Sequence, residues 1–417
     1  MARFMPFRAV HFDPRVVGGD LGPVIAPPYD VVDSALGERL AARHPYNAVR
    51  LELTVPVAGG SPERYREAAS LWTAWRRAGI LVRDGLPAFY LCEHEFWHGG
   101  RRLVRTAVVG TLTVAAGVLA HEDTMAQPKE DRLHLLRACR AQFSPILALY
   151  EDPEGSVAAA LREARGDDPD LQAVGEGEAL RAWRVTAEDA IERVTAAVGS
   201  GPVVIADGHH RYESARRFAG ETGEEGHRRV LAALVATTDP GLVVLPTHRV
   251  VRRISPGVRD QIMERVRGAF TTEPIPGDIP FGCEDRAASW WEAFAPPARS
   301  EDGHIRLVAV TDQGAWALGY RGETAEALKL LDGILSEAGV AARGILGEAG
   351  AAVEYTRDAV CALREVLGGR ARAAFFPPAV SVGEVFRKAR EGFRFPRKTT
   401  YFHPKVPAGL LMCDLDD

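Results

Sequence analysis

Val203-Val204-Ile205-Ala206-Asp207-Gly208-His209-His210-Arg211-Tyr212-Glu213 decides how the rest of the chain is read. Pro202 to Ala206 is a short continuous apolar run, the pattern of a buried strand. It ends at a carboxylate, and Gly208 permits a sharp turn. Two imidazoles and a guanidinium then open an amphipathic helix expected over 209–220. The first N–H groups of a helix have no partner within it and carry partial positive charge, so a strand-to-helix junction of this kind can hold a phosphate. On that reading Gly208, His209 and Arg211 cradle the anion, and His210 donates to a phosphate or leaving oxygen. The alternative is simpler: Asp207 caps the helix and the histidines are surface groups.

Outward from this junction the chain mixes strands and helices irregularly. Ala88–Phe96 and Leu103–Leu112 read as a hairpin across Gly99-Gly100, and Ile146–Tyr150 as a short strand after Pro145. Leu231–Thr238 and Leu242–Leu245 flank the turn Asp239-Pro240-Gly241. Ile305–Val310 and Ala315–Tyr320 form another hairpin, a helix is expected over 325–338, and Ala371–Phe376 is a late strand. Ser61-Pro62 reads as cap and first residue of a helix carrying Tyr65, Ala68, Trp72 and Trp75 on one face. Residues 121–140 turn helical after an initial loop. The acidic, Gly/Asp-rich run 151–177 reads as a surface excursion. Several hairpins and no fixed repeat favour an α+β fold over a doubly wound sheet.

His94-Glu95-Phe96-Trp97-His98 matches a zinc-protease pattern in letters only. That chemistry needs a helix, where residues four apart share one face. On a strand the two imidazoles lie roughly 13 Å apart at about 3.3 Å per residue, too far for one metal. No metal ligands are assigned.

Lys and Arg total 51 against 56 Asp and Glu, a formal charge of −5, which disfavours a chain-wide electrostatic grip on nucleic acid. Five scattered cysteines (92, 139, 283, 361 and 413) contain no CxxC pair, which argues against both a disulfide framework and a thiolate zinc site. The opening MARFMPFRAVHFDP has charges and a proline where a signal peptide needs an apolar run. Val108–Ala120 is too short to span a bilayer, so a cytoplasmic protein is expected. Two further segments invite a ligand. Thr247, His248 and Arg249 follow a strand end, where structural polar positions are an equal alternative. Pro396–Lys405 gathers cations, hydroxyls and aromatics, and reads as a lid over a ligand that Lys398, Thr399, Tyr401 and Lys405 contact. The stiff opening Pro27-Pro28-Tyr29-Asp30 is expected to be extended and to turn into the same site.

Ile205 to Glu213 resembles the signature of the free serine kinases of the ParB/sulfiredoxin-like superfamily. A second hallmark of theirs, a His-Glu pair upstream followed by an arginine-bearing helix, is matched by His121-Glu122 and Lys129-Glu130-Asp131-Arg132. The likeness covers about residues 115–220. The whole chain resembles a prokaryotic family of roughly 400-residue proteins classed as a domain of unknown function. Ala26–Val31, Asn47–Arg50, Leu245–Arg249 and Lys398–Lys405 carry that likeness.

The superfamily resemblance implies a ParB/sulfiredoxin-like α/β core and phosphoryl transfer from a nucleotide (ATP, ADP or CTP, with Mg²⁺) to a small hydroxylated metabolite. Glu122 would take the proton, with His121 beside the substrate. Asp207 would place Mg²⁺ or substrate, and Lys129, Arg132, Lys398 and Lys405 would neutralise phosphate charge. The expected division is an N-terminal α/β region (1–114), the core (115–250, with an insertion at 151–201) and a C-terminal α+β region (251–417). Rival readings are a nucleotide-binding regulator or DNA-associated ParB-like protein, for which no basic helix-turn-helix is found, and a metabolite sensor without chemistry.

Overall fold

The computed structural model describes residues 2–53, 62–114, 117–122, 126–277, 279–294, 303–342 and 352–416. Ser61, the expected helix cap, lies outside them. The fold is α+β, and the chain forms two compact units. The first takes Met1–Val243, Phe386–Phe393 and Phe402–Asp417; the second takes Val244–Val385 and Arg394–Tyr401.

The first unit is built on a nine-stranded mixed sheet. Its order is Val118–Ala120, Val203–Asp207, Ile146–Tyr150, Arg229–Ala236, Arg101–Thr113, Phe89–His98, Glu178–Val185, Leu171–Gly175, with Phe4–Met5 added to Arg101–Thr113. Two pairs are parallel, Val118–Ala120 with Val203–Asp207 and Ile146–Tyr150 with Arg229–Ala236. Ile146–Tyr150 is buried at every position, as an uninterrupted apolar strand between two neighbours must be. Helix Ala126–Cys139 packs against His209–Thr222 and Pro62–Arg77. Tyr65 Oη donates to Asp131 at 2.9 Å and Ser214 Oγ to the Lys129 carbonyl at 2.9 Å.

Two expectations change here. The run 151–201 is no surface insertion. Its strands Leu171–Gly175 and Glu178–Val185 extend the sheet, and its helices Ser156–Ala164 and Glu188–Gly199 bury Val157, Leu161, Val194 and Val198. The acidic residues had masked that apolar spacing. Nor does a boundary fall at 114: Arg101–Thr113 pairs with Arg229–Ala236 from Arg229↔Thr113 to Leu234↔Val108, so 1–114 and the expected core share one sheet. The units divide at 243/244 rather than at 250.

His94 and His98 lie on strand Phe89–His98. His94 Nε2 meets Glu178 at 2.8 Å, so the pentapeptide serves the hairpin.

The second unit holds a seven-stranded sheet. Its order is Thr271–Pro274, Gly314–Tyr320, Ile305–Thr311, Ala373–Phe376, His248–Arg252, Ala352–Thr356, Ala341–Ala342, antiparallel save for the last pair. Alternation sends Val251, Leu307, Ala309 and Phe375 to one core and Val250, Val308, Val310 and Phe376 to the other. Helices Pro256–Ala269 and Thr324–Glu337 line the first core, and Ala287–Phe294 and Ala359–Leu367 the second. Among the described residues no helix is long and apolar enough to cross a membrane.

Candidate functional site

Asp207 ends its strand in the first unit, and Gly208 turns the chain with φ +87°. The turn is crowded as well as left-handed: a Cβ on Gly208 would sit 2.9 Å from Arg211 Nε, Arg211 Nη2 and Ile146 Cγ2. Arg211 Nη2 donates to Asp207 Oδ2 at 2.8 Å and Nη1 to the Pro145 carbonyl at 2.6 Å. The guanidinium is buried, so it braces the turn against the neighbouring strand. Lys405 Nζ donates to the other oxygen, Asp207 Oδ1. Each oxygen of the Asp207 carboxylate therefore faces a cation.

Lys405 also lies 4.0 Å from Asp30. Burial pulls its ammonium pKa down, the charges of Asp30 and Glu122 oppose that, and Arg105 adds to the lowering. Three carboxylates drawn from residues 30, 122 and 207 thus act on one buried amine. Arg105, itself buried, donates to the Pro404 carbonyl at 2.6 Å and so fixes the backbone just before Lys405. Beside them His121 is fully buried. Its Nδ1 is 2.6 Å from the Ile205 carbonyl, which can only accept, so Nδ1 carries a proton. The His121 ring meets His209 at 4.7 Å and Phe402 at 6.2 Å between centroids.

The opening segment reaches this place through its own buried staple. Asn47 Nδ2 donates to the carbonyls of Pro23 (2.8 Å) and Ile25 (3.1 Å). Pro27-Pro28 then lead into one 3₁₀ turn, Tyr29–Val31, where a fully extended segment was expected. The turn brings Asp30 toward Lys405. Arg132 lies 4.1 Å from the centre of the Tyr29 ring, and burial pushes the Tyr29 phenol up to about 12. Arg132 in turn donates to Glu52 Oε2 (2.6 Å) and to Asp131 Oδ2 (2.8 Å from Nε). Ser144 Oγ donates to Glu52 Oε1 at 2.6 Å, and the next residue, Pro145, supplies the carbonyl that Arg211 holds. Glu52, Arg132, Ser144 and Arg211 border a cavity of about 40 Å³. Reading the sequence missed Glu52, Ser144 and Arg105. An acid at the end of the short helix Val49–Glu52 is a signal only once its partners are known.

Asp207, Gly208, His209, Arg211, His121, Glu122 and Lys405 belong to this cluster. His210 is half-buried in the first turn of the same helix, and Lys129 half-buried on Ala126–Cys139. Arg132 and Arg211, expected on phosphate, have guanidinium donors committed to Glu52, Asp131, Pro145 and Asp207. Thr247, His248 and Arg249 lie in the second unit. Arg249 is fully buried against Asp332 (3.0 and 2.9 Å) and donates to the Thr247 carbonyl at 2.6 Å, while burial pushes His248 down to about 4 between Trp291 and Phe376. Lys398, Thr399 and Tyr401 are also in the second unit, where Arg357 covers the Tyr401 ring at 4.0 Å. Within this segment Phe395, Thr399 and Phe402 are buried, while Arg397 and Lys398 are exposed.

A resident Mg²⁺ does not fit this arrangement. Both Asp207 oxygens already face cations, and among the described residues no group of three His, Cys, Asp or Glu side chains has metal-holding geometry.

A family model described as "Protein of unknown function (DUF1015)" matches residues 4–333. No curated protein matches the sequence. Solved structures similar to this chain include the following three. One is a conserved hypothetical protein from Pyrococcus furiosus (15% identity, TM-score 0.40, 74% of this chain and 95% of that one). Another is free serine kinase in complex with AMP (14%, 0.38, 70% and 86%). The third is SbnI with a C-terminal truncation from Staphylococcus aureus (12%, 0.37, 72% and 84%).

Proposed function

The chain belongs to this family of unknown function (DUF1015), and from that premise we propose that its first unit transfers a phosphoryl group from a nucleotide to a hydroxyl of a small metabolite. The observation that carries the reading is the meeting of Asp30, Glu122 and Asp207 on the buried Lys405 at the N-terminus of helix His209–Thr222. The sequence likeness of Ile205–Glu213 and His121-Glu122 to the free serine kinases supplies the reaction class.

In this reading the N–H groups of the first helical turn, with His209 and His210, hold the phosphates of the donor. Glu122 takes the proton of the attacking hydroxyl. The new O–P bond forms as the bridging O–P bond breaks, and the nucleotide leaves one phosphate shorter. Lys405 stands where negative charge gathers during transfer, which is where a phosphotransferase gains most. Arg211 and Arg132 position rather than touch: one braces the turn, the other carries Glu52 and Tyr29.

The test is to incubate the protein with Mg²⁺ and ATP, ADP or CTP, together with a panel of hydroxy acids and hydroxyl-bearing amino acids, and to follow products by ³¹P NMR. A new phosphomonoester resonance is expected, and Glu122→Gln should slow its growth by about 10²–10⁴-fold, the usual worth of a general base. No phosphoester with any acceptor, or an undiminished rate in Glu122→Gln, would refute the reading.

A further inference from the structure

We propose that the first unit has a second ligand site, a cleft floored by His11, Asp84 and Tyr90, which takes a free α-amino acid by its ammonium and carboxylate groups. The cleft encloses about 650 Å³, the size of a small-molecule site. It lies between the two-stranded piece Val10–Phe12/Leu81–Arg83 and the sheet, where Tyr90 and Arg184 are cross-strand partners. Along the sheet order Tyr90's strand is four strands from Asp207's, roughly 19 Å at about 4.8 Å per strand, so this is not the Asp207 site.

Its floor is built rather than incidental. Asp84 is buried, with its amide on the Ala9 carbonyl at 3.0 Å and its own carbonyl accepting from Arg8 Nε at 3.0 Å. Tyr90 Oη donates to Oδ2 of Asp84, while His11 Nε2 and Arg184 Nη1 each stand 3.5 Å from Oδ1. His11 Nδ1 is 2.9 Å from the Phe12 carbonyl. Both ring nitrogens therefore face groups that only accept, an arrangement that favours the protonated ring. Burial opposes that charge, but the bonds to Asp84 and to the Phe12 carbonyl outweigh it and raise the pKa.

The walls select the ligand. Asp13, Asp84 and Asp170 stand against Arg15, Arg184 and His11, whose charged form Asp84 favours, so the lining carries both signs and favours neither a plain anion nor a plain cation. Arg15 is closed on Asp13 by two bonds of 3.0 and 2.7 Å. Arg184 is different: 40% of its side chain is exposed, and its backbone N–H is capped by Asp170 Oδ2 at 2.7 Å. Arg184 and the exposed Asp170 both line the cleft, so a guanidinium and a carboxylate border one space. A ligand with ammonium and carboxylate on one carbon matches such a pair, with the carboxylate on Arg184 and the ammonium on Asp170.

Isothermal titration with each common α-amino acid, with acetate and methylamine as single-charge controls, tests this without reference to catalysis. At least one amino acid should bind, with acetate and methylamine far weaker. Arg184→Met and Asp170→Asn should each weaken that binding roughly ten- to hundredfold, the worth of one charge-assisted contact. Both side chains are substantially exposed, and unchanged circular dichroism will verify that the variants fold. The proposal is overturned if no amino acid binds, if acetate binds equally well, or if Arg184→Met changes nothing.

Discussion

The pair Glu52–Arg132 offers the sharpest test of how the Asp207 site is held. Both side chains are 4% exposed, and Nη1 and Oε2 are 2.6 Å apart. Arg132 carries Tyr29, and Ser144 ties Glu52 to the strap that holds Arg211. Replacing one member of a buried pair leaves the other charge without its counter-ion, at a cost of about 3–5 kcal/mol. Arg132→Met should therefore destabilise the first unit by that amount, and Glu52→Gln by somewhat less, since Arg132 keeps Asp131 at 2.8 Å. Asp131 keeps Arg64 at 2.6 Å and Tyr65 at 2.9 Å, so the loss in Arg132→Met falls mainly on Glu52. The double variant removes both charges together, so it should cost little more than either single one, a coupling of about 2–4 kcal/mol. Urea unfolding monitored by hydrogen exchange across helix Ala126–Cys139 reads the first unit specifically. Single effects that add to within about 0.5 kcal/mol would refute the reasoning, since independent sites add that closely.

Two other outcomes follow from single residues. Gly208→Ala forces an L residue to φ +87° and drives its Cβ onto Arg211 and Ile146, so a loss of about 2–4 kcal/mol is expected from the left-handed backbone and the displaced guanidinium together; an unchanged urea midpoint would contradict it. For His11 the folded pKa is raised above the ordinary 6.5, so its pairing with Asp84 stabilises fully below that value and fades as pH rises through the folded pKa. Wild type should therefore exceed His11→Gln in stability by most near pH 5. Asp13, Tyr90 and Arg184, which also surround the ring, are present in both proteins, so a gap that widens toward alkaline pH would count against the assignment.

What the sequence disclosed and what it hid have a common physical basis. Val203–Asp207 and helix His209–Thr222 were legible because an apolar run, a glycine and an amphipathic repeat are local signals. Helix Thr324–Glu337 and both hairpins were found for the same reason. Helices Pro256–Ala269 and Ala359–Leu367 carried local signals that went unread: Ser255 caps at Val258 N and Asp358 at Cys361 N. The run 151–201 misled because acidic surface residues outnumber the few apolar ones that join the sheet. Partnership was beyond reach altogether. Glu52 finds Arg132, 80 residues on, and Lys405 finds Asp207, 198 residues back. No periodicity encodes such separations, so two arginines expected on phosphate prove to be committed inside the fold.

The route of the chain through Lys405 also has a bearing on biosynthesis. The first unit receives its last segment, Phe402–Asp417, only after the whole of Val244–Val385 has been made. That tail brings the amine that neutralises Asp207, the ring beside His121, and the short strand Cys413–Asp414 that pairs with Ala141–Gln142. A nascent polypeptide emerging from the ribosome therefore exposes three carboxylates with no counter-ion from residue 405 for as long as translation of the intervening stretch lasts. The Asp207 cluster is complete only once residue 405 has been made.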